Sequence, residues 1–199
     1  MALIGFLGFA YMTSVEAALS ILGKDFWVMF SSYNLTVVPM FVLMGTLAFY
    51  SGIGGRLYQA AHKFLGQLPG GLGIATCYAC AAFGACCGST TAGAAAMGKV
   101  ILPEMKKYHY DPSLATACVA SAGSLAILIP PSTIFIIYGI MTEESIGKLF
   151  AAGILPGILL ATLFALTVYI ICRRNPELGP PGVKASWKER VASLAGVVE

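Results

Sequence analysis

Ten residues in two stretches carry the chemistry this sequence offers. The first stretch is Gly88, Ser89, Thr90 and Thr91; the second opens at Gly123-Ser124 and reaches Pro130, Pro131, Ser132 and Thr133. Six of these are hydroxyl residues, in runs that each follow glycine or proline, residues that interrupt helices. An interrupted helix frees backbone carbonyls, and with the hydroxyls they make an all-oxygen donor set. Such a set suits a hard cation such as Na⁺. The new helix that begins after each interruption offers partial positive charge to an anionic group. The candidate oxygens are the hydroxyls of Ser89, Thr90, Thr91, Ser132 and Thr133 and the carbonyls around Gly88, Gly123 and Ser124. Any one of these hydroxyls has a competing role, bonding back to its own helix or a neighbouring one. Their clustering at two interruptions points to a transport site, because discontinuous helices near mid-membrane are where secondary transporters bind ions and solutes.

The surrounding composition requires a lipid solvent. The chain has 199 residues, 58% hydrophobic and 11% charged, with a mean hydropathy of +0.82. Soluble domains carry about a quarter charged residues. No Asp, Glu, Lys or Arg occurs in 26–55, 64–98, 112–142 or 149–172, and 1–23 carries only Glu16. A helix needs roughly 20 apolar residues to span a bilayer. Five such stretches in succession exclude a signal peptide or a single buried helix. The net charge of +3 comes from short loops, which leaves no basic surface for nucleic acid.

The elements that must hold the two stretches follow from pattern. Residues 1–22 read as a first span or the remnant of one and 35–50 as a second, with Pro39 in its first turn. Residues 56–68 place Arg56, His62 and Lys63 among apolar residues, which fits a helix lying in the membrane interface. Residues 70–103 are dense in Gly, Ala, Ser, Thr and Cys, the small residues that let helices pack closely against protein. The Gly88–Thr91 turn divides them into a helical hairpin. Residues 112–142 form a helix broken by Ile129-Pro130-Pro131-Ser132, and broken backbone at membrane depth persists only inside protein or along a polar cavity. Residues 146–172 form a last span.

Basic residues favour the cytoplasmic side. Arg56 and Lys63 precede the hairpin, Lys106 and Lys107 follow it, and Arg173, Arg174, Lys184, Lys188 and Arg190 follow the last span. All fall on one side if 70–103 enters and leaves by the same face, as a re-entrant hairpin. The expected fold is therefore all-α and integral to the membrane, a polytopic bundle with a re-entrant hairpin and an interrupted helix. Its parts are 1–55 (scaffold helices), 56–69 (interfacial arm), 70–142 (the site-bearing part, with hairpin 70–103 and broken helix 112–142), 143–174 (a span) and 175–199 (a polar linker).

Other polar residues carry less. Cys77 and Cys80 form a CxxC without a neighbouring His and read as small packing residues. His62 and His109 lie in charged, loop-like surroundings. Glu16 marks a helix start, and Lys99 reaches outward from the end of the hairpin. No nucleophile–base pair, phosphate loop or metal spacing occurs, so neither an enzyme nor a metal other than Na⁺ is expected.

Four segments resemble the large membrane subunit (DctM-like) of tripartite ATP-independent periplasmic (TRAP) transporters. They are PMFVLMGTLAFYSGI at 39–53, GACCGSTTAGAAAMGKVILPEM at 84–105, AGSLAILIPPSTIFIIYG at 122–139 and SIGKLFAAGILPGILLA at 145–161. They follow the family's order and spacing, and the resemblance covers almost the whole chain. The hairpin tip departs from a common GSA by reading Gly88-Ser89-Thr90, and Ala126 stands where a glycine is common. The resemblance implies one repeat of an inverted-repeat, elevator-type transporter. It also implies Na⁺ as coupling ion, no other cofactor, and uptake of an organic acid such as a dicarboxylate or sugar acid. The implied partners are a small membrane subunit (DctQ-like), a periplasmic solute-binding protein (DctP-like) and a second half of the large subunit. The implied location is the bacterial inner membrane. Because the family's large subunit is longer, with two repeats, this chain is expected to be a fragment, split subunit or truncated frame. A divalent-anion/sodium symporter of similar architecture is the alternative reading.

Overall fold

The computed structural model describes residues 2–31, 37–182, 190 and 193. Among these residues every regular element is helical. The chain divides into two compact units, Met1–Pro39 and Met40–Glu199.

In the first unit, α1 (Ala2–Met12) and α2 (Val15–Ser31) pack on each other. The expected single span over 1–22 is therefore two helices. The separation is made locally: Ser14 Oγ accepts from the Ala17 N–H at 3.2 Å, the cap that starts a new helix. Glu16 sits in the first turn of α2, where its charge complements the helix dipole.

All but the first turn of α3 (Val37–Tyr50) belongs to the second unit, with α4 (Ile53–Leu65), α5 (Gly71–Cys87), α6 (Thr90–Lys107), α7 (Pro112–Gly123), a 3₁₀ turn (Ser124–Ile127), α8 (Thr133–Thr142) and α9 (Ile146–Arg174). At its centre lies α5, with 13 of its 17 residues buried. Its small side chains let α4, α6, α7, the 3₁₀ turn and α9 all pack against it, as small residues do between membrane helices. The cysteines serve this packing: all six are free and Cys77, Cys80, Cys87, Cys118 and Cys172 are buried. α4 is amphipathic, burying Gly54, Tyr58 and Ala60 while Arg56 and Lys63 stay exposed. α7 starts sharply because Asp111 Oδ1 accepts from the Ser113 and Leu114 N–H groups at 2.9 and 3.1 Å, with Pro112 in the first turn, a favoured proline position.

α9 is, among the described residues, the one helix long and apolar enough to cross a membrane by itself, with 29 residues and a mean hydropathy of 2.4. At about 1.5 Å per residue it exceeds the roughly 30 Å hydrocarbon thickness. The other apolar helices are shorter because breaks at Thr13-Ser14, Gly88-Ser89 and Leu128–Ser132 divide them. α9 buries one stripe, Gly153, Gly157, Ala161, Ala165, Val168 and Cys172, and exposes large apolar residues such as Leu155 and Leu159 on the rest of its surface. Such an outward apolar surface fits lipid and would be a liability in water.

Residues 175–182, the start of the expected polar linker, pack back on the base of the hairpin. The Gly179 carbonyl accepts from Gly70 N–H at 3.0 Å, the Leu178 carbonyl from Asp111 N–H at 3.1 Å, and Gly182 N–H donates to the Gly66 carbonyl at 2.7 Å. Residues 183–189, 191–192 and 194–199, with Lys184 and Lys188, lie outside the described residues.

Candidate functional site

The hairpin turns at Gly88. Its φ of +56° and ψ of 13° cap α5, and its N–H donates to the Gly84 carbonyl at 2.9 Å. That left-handed conformation favours glycine. Ser89 is extended and opens α6, accepting from the Ala92 N–H at 3.5 Å, with Thr91 Oγ1 3.4 Å from Ser89 Oγ. Thr90 is half-buried and Thr91 exposed.

The second interruption lies against this turn. After α7 the chain tightens into the 3₁₀ turn, and the Leu128 and Ile129 N–H groups both donate to the Leu125 carbonyl at 3.0 Å. Pro130 and Pro131 supply no N–H, and α8 begins at Thr133. Thr133 Oγ1 donates to the Gly88 carbonyl at 3.0 Å, across 45 positions of sequence. A Cβ added to Gly88 would lie 2.9 Å from the Pro131 carbonyl oxygen. Ser132 is fully buried, and its Oγ has no hydrogen-bond partner among the described residues. A buried hydroxyl without a partner costs about 1–3 kcal/mol, so this one calls for an explanation.

Gly88, Pro131, Ser132 and Thr133 thus meet, with Pro130 and Ser89 adjacent in sequence. Gly123 faces a different neighbour: a Cβ there would sit 2.7 Å from Ala94 Cβ in α6. Ser124 is exposed and its hydroxyl donates to the Ser121 carbonyl at 2.6 Å, the back-bonding typical of helical serine.

Sequence reading missed two contributors. Gly84 lets the backbone of the 3₁₀ turn come close, since a Cβ there would be 2.8 Å from Ala126 Cα. Gly45 of α3 approaches the tip, its would-be Cβ 3.0 Å from Cys87 Cα. The four-residue spacing of Gly84 and Gly88 was the available signal.

Electrostatically the junction has two faces. The C-terminus of α5 and the freed carbonyls before Thr133 present negative partial charge, while the N-termini of α6 and α8 present positive partial charge. Neither Gly71–Cys87 nor 124–133 holds a charged residue. Among the described residues no cluster of three His, Cys, Asp or Glu could hold a metal. The polar groups at the junction are hydroxyl and carbonyl oxygens, with the Ser132 hydroxyl unpartnered, the donor type that hard cations take.

Residues 1–198 match the family model described as the tripartite ATP-independent periplasmic transporter, DctM component. The chain belongs to this family. It is 40% identical over 161 residues to the ectoine/5-hydroxyectoine TRAP transporter large permease protein UehC of Ruegeria pomeroyi, covering 81% of this chain and 37% of that protein. It is 39% identical over 161 residues, with the same coverages, to the C4-dicarboxylate TRAP transporter large permease protein DctM of Pseudomonas aeruginosa. A third relative is the isethionate TRAP transporter permease protein DctMQ of Oleidesulfovibrio alaskensis, 36% identical over 167 residues, 82% of this chain and 26% of that protein. The matched part of this chain therefore spans between 26% and 37% of the length of these relatives. These relatives are named as transporter permeases.

Proposed function

We propose that this chain is the part of a TRAP large permease subunit that builds one half of a Na⁺ and solute site. The observation that carries the reading is the meeting of Gly88 with Pro131–Thr133 around the buried, unpartnered Ser132 hydroxyl. A Na⁺ there would take its oxygens from Ser132 Oγ and from carbonyls of the Gly88 turn and the proline break. Ser89 and Thr90 at the tip would add hydroxyls. The N-termini of α6 and α8 would face the anionic group of the solute, which fits an organic acid such as a dicarboxylate or sugar acid. The names of the relatives cite ectoine, C4-dicarboxylate and isethionate, so one scaffold serves varied solutes, and selectivity among them rests on groups beyond this junction.

In this reading α5 and α6 enter and leave the inner membrane by the same face, and the transport domain they help build moves as an elevator. α4 is the interfacial arm. A periplasmic solute-binding protein delivers the solute, a small membrane subunit braces the scaffold, and the remainder of the permease completes the site. The discriminating experiment is uptake by the full-length permease with both partners in vesicles, titrated with Na⁺ against K⁺. Uptake saturable in Na⁺ is expected, and uptake indifferent to Na⁺ refutes the coupling. Single cysteines replacing Lys63 and Lys107 should label from one membrane face, and labelling from opposite faces refutes the re-entrant hairpin.

A further inference from the structure

We propose that Gly153 and Gly157 of α9 are positioning residues for this ion site, holding the proline break in register with the hairpin tip. The inference rests on the site reading above and adds a third element to it. A Cβ on Gly153 would meet the Phe135 ring and lie 2.7 Å from the Leu128 carbonyl oxygen. A Cβ on Gly157 would lie 2.9 Å from Ile129 Cγ1 and 3.6 Å from the Leu128 carbonyl. Leu128 and Ile129 immediately precede the prolines, and Phe135 follows them in α8. The two glycines, one turn apart on the buried stripe of α9, therefore grip the chain on both sides of the break. Helix propensity does not account for them, because alanine is the better helix former. Gly147, in the same helix, has only Ser145 Oγ at 3.8 Å from its would-be Cβ.

The other end of α9 explains why this contact would set the geometry of the site. At the hairpin base, a Cβ on Gly73 would be 2.8 Å from Val168 Cγ1, so α5 and α9 touch there closely. Fifteen residues separate Gly73 from the tip at Gly88 along α5, and fifteen separate Val168 from Gly153 along α9. At about 1.5 Å per residue both reaches are about 22 Å. Contacts at both ends of this stretch, Gly73 with Val168 and Gly153 with Leu128, make α9 a strut between the hairpin base and the break. Moving α9 off the break by the width of a methyl group would shift Leu128–Ser132 against Gly88, and ion coordination is intolerant of such a shift.

The test uses the full-length permease with its partners in vesicles, with uptake titrated by Na⁺. Gly153→Ala and Gly157→Ala should raise the Na⁺ concentration for half-maximal uptake roughly tenfold, equivalent to about 1.4 kcal/mol, with membrane levels unchanged. Gly147→Ala should leave it unaltered. Adding Ile129→Ala to Gly157→Ala should restore the Na⁺ response, because the nearest obstruction is a side-chain atom. Adding Phe135→Leu to Gly153→Ala should not, because the Leu128 carbonyl remains. Should Gly157→Ala accumulate poorly, Ile129→Phe crowds the same contact from the break and carries the same expectation. A Na⁺-dependent wild type whose half-saturation is unmoved in these variants, or variants that lose only protein level and maximal uptake, overturn this inference alone. A wild type with no Na⁺ dependence overturns the site reading and this inference with it.

Discussion

The molecule interrupts helices in two ways within one junction. Between α5 and α6 the interruption is a glycine in left-handed conformation, and its polar groups are satisfied. Gly88 N–H bonds to Gly84, the Gly88 carbonyl accepts from Thr133, and Ser89 caps the next helix. The two helices then pack against each other. Between α7 and α8 the interruption is a pair of prolines. No N–H is available at either, α8 packs on α9 and the 3₁₀ turn rather than back on α7, and the Ser132 hydroxyl is left buried and unpartnered. The glycine turn reverses the chain with its N–H bonded within α5 and its carbonyl bonded to the other interruption. A proline break leaves groups open, and open groups at membrane depth need a ligand or a partner. The glycine side of the junction therefore supplies shape and close approach, and the proline side supplies unmet coordination.

That division is broken most severely at Gly88. Gly88→Val forces a β-branched residue into a positive φ, which costs about 1–2 kcal/mol before any contact is counted, and drives a side chain into the Pro131 carbonyl. Uptake by the complete transporter should fall more than tenfold at matched membrane levels. Near-normal uptake would mean that the tip does not need to touch the break.

The proline side is probed by Ser132→Ala. Removing an unsatisfied buried hydroxyl should raise the melting temperature of the purified permease in K⁺, since such a group costs about 1–3 kcal/mol. It should also shrink the further rise that Na⁺ produces by binding the folded state. An equal Na⁺-induced rise in variant and wild type would assign the orphaned hydroxyl to something other than the ion.

Much of this junction was legible in the sequence because its causes are local. Glycine followed by Ser-Thr-Thr in an uncharged small-residue run dictates a turn and a cap. Consecutive prolines dictate a break. Both interruptions lie where the residue types put them. Which segments meet is decided by packing between distant parts of the chain, and spacing does not encode it: the bond from Thr133 to the Gly88 carbonyl and the contact of Gly123 with Ala94 near the start of α6 both join residues far apart in sequence. The split of 1–22 into α1 and α2 was hidden for a similar reason. A single capping serine divides a continuous apolar run without changing its hydropathy.

The hydroxyls of the glycine side should matter less than Ser132. Ser89 Oγ caps α6 only at 3.5 Å, so Ser89→Ala should cost stability at the low end of capping effects, about 0.5 kcal/mol. If Ser89 and Thr90 donate oxygen to the ion, Ser89→Ala and Thr90→Val should each raise the Na⁺ requirement for uptake a few-fold, with solute capture by the binding protein unchanged. A loss of the Na⁺-induced rise in melting temperature as large as that expected of Ser132→Ala would erase the distinction between the two interruptions.

The smallest effect concerns the opposite end of the hairpin and separates stability from coupling. His62 of α4 lies between two rings, stacked on Tyr58 at 6.2 Å between centroids and edge-on to Tyr108 at 5.4 Å, beside the segment that ties Gly182 to Gly66. Burial pushes the His62 pKa below its usual 6.5, opposed by the carboxylate of Glu104, which itself pairs with Lys107 at 2.8 Å. The sign follows from the lowered value. Above about pH 6.5 the imidazole is neutral whether the chain is folded or unfolded, and its packing contributes fully. As pH falls below 6.5 the unfolded chain takes up the proton first, so stability declines until the lower folded-state pKa is passed. The melting temperature should therefore be flat from pH 8 to 7 and fall between 6.5 and 5, and His62→Gln should make that fall shallower. The Na⁺ half-saturation should not follow this trend, because α5 and residues 124–133 carry no charged group. Measuring both quantities on one preparation at pH 7.5 and 5.5 decides the point: a Na⁺ response that moves with His62 would couple the hairpin base to its tip, and a pH slope identical in His62→Gln would remove His62 as its source.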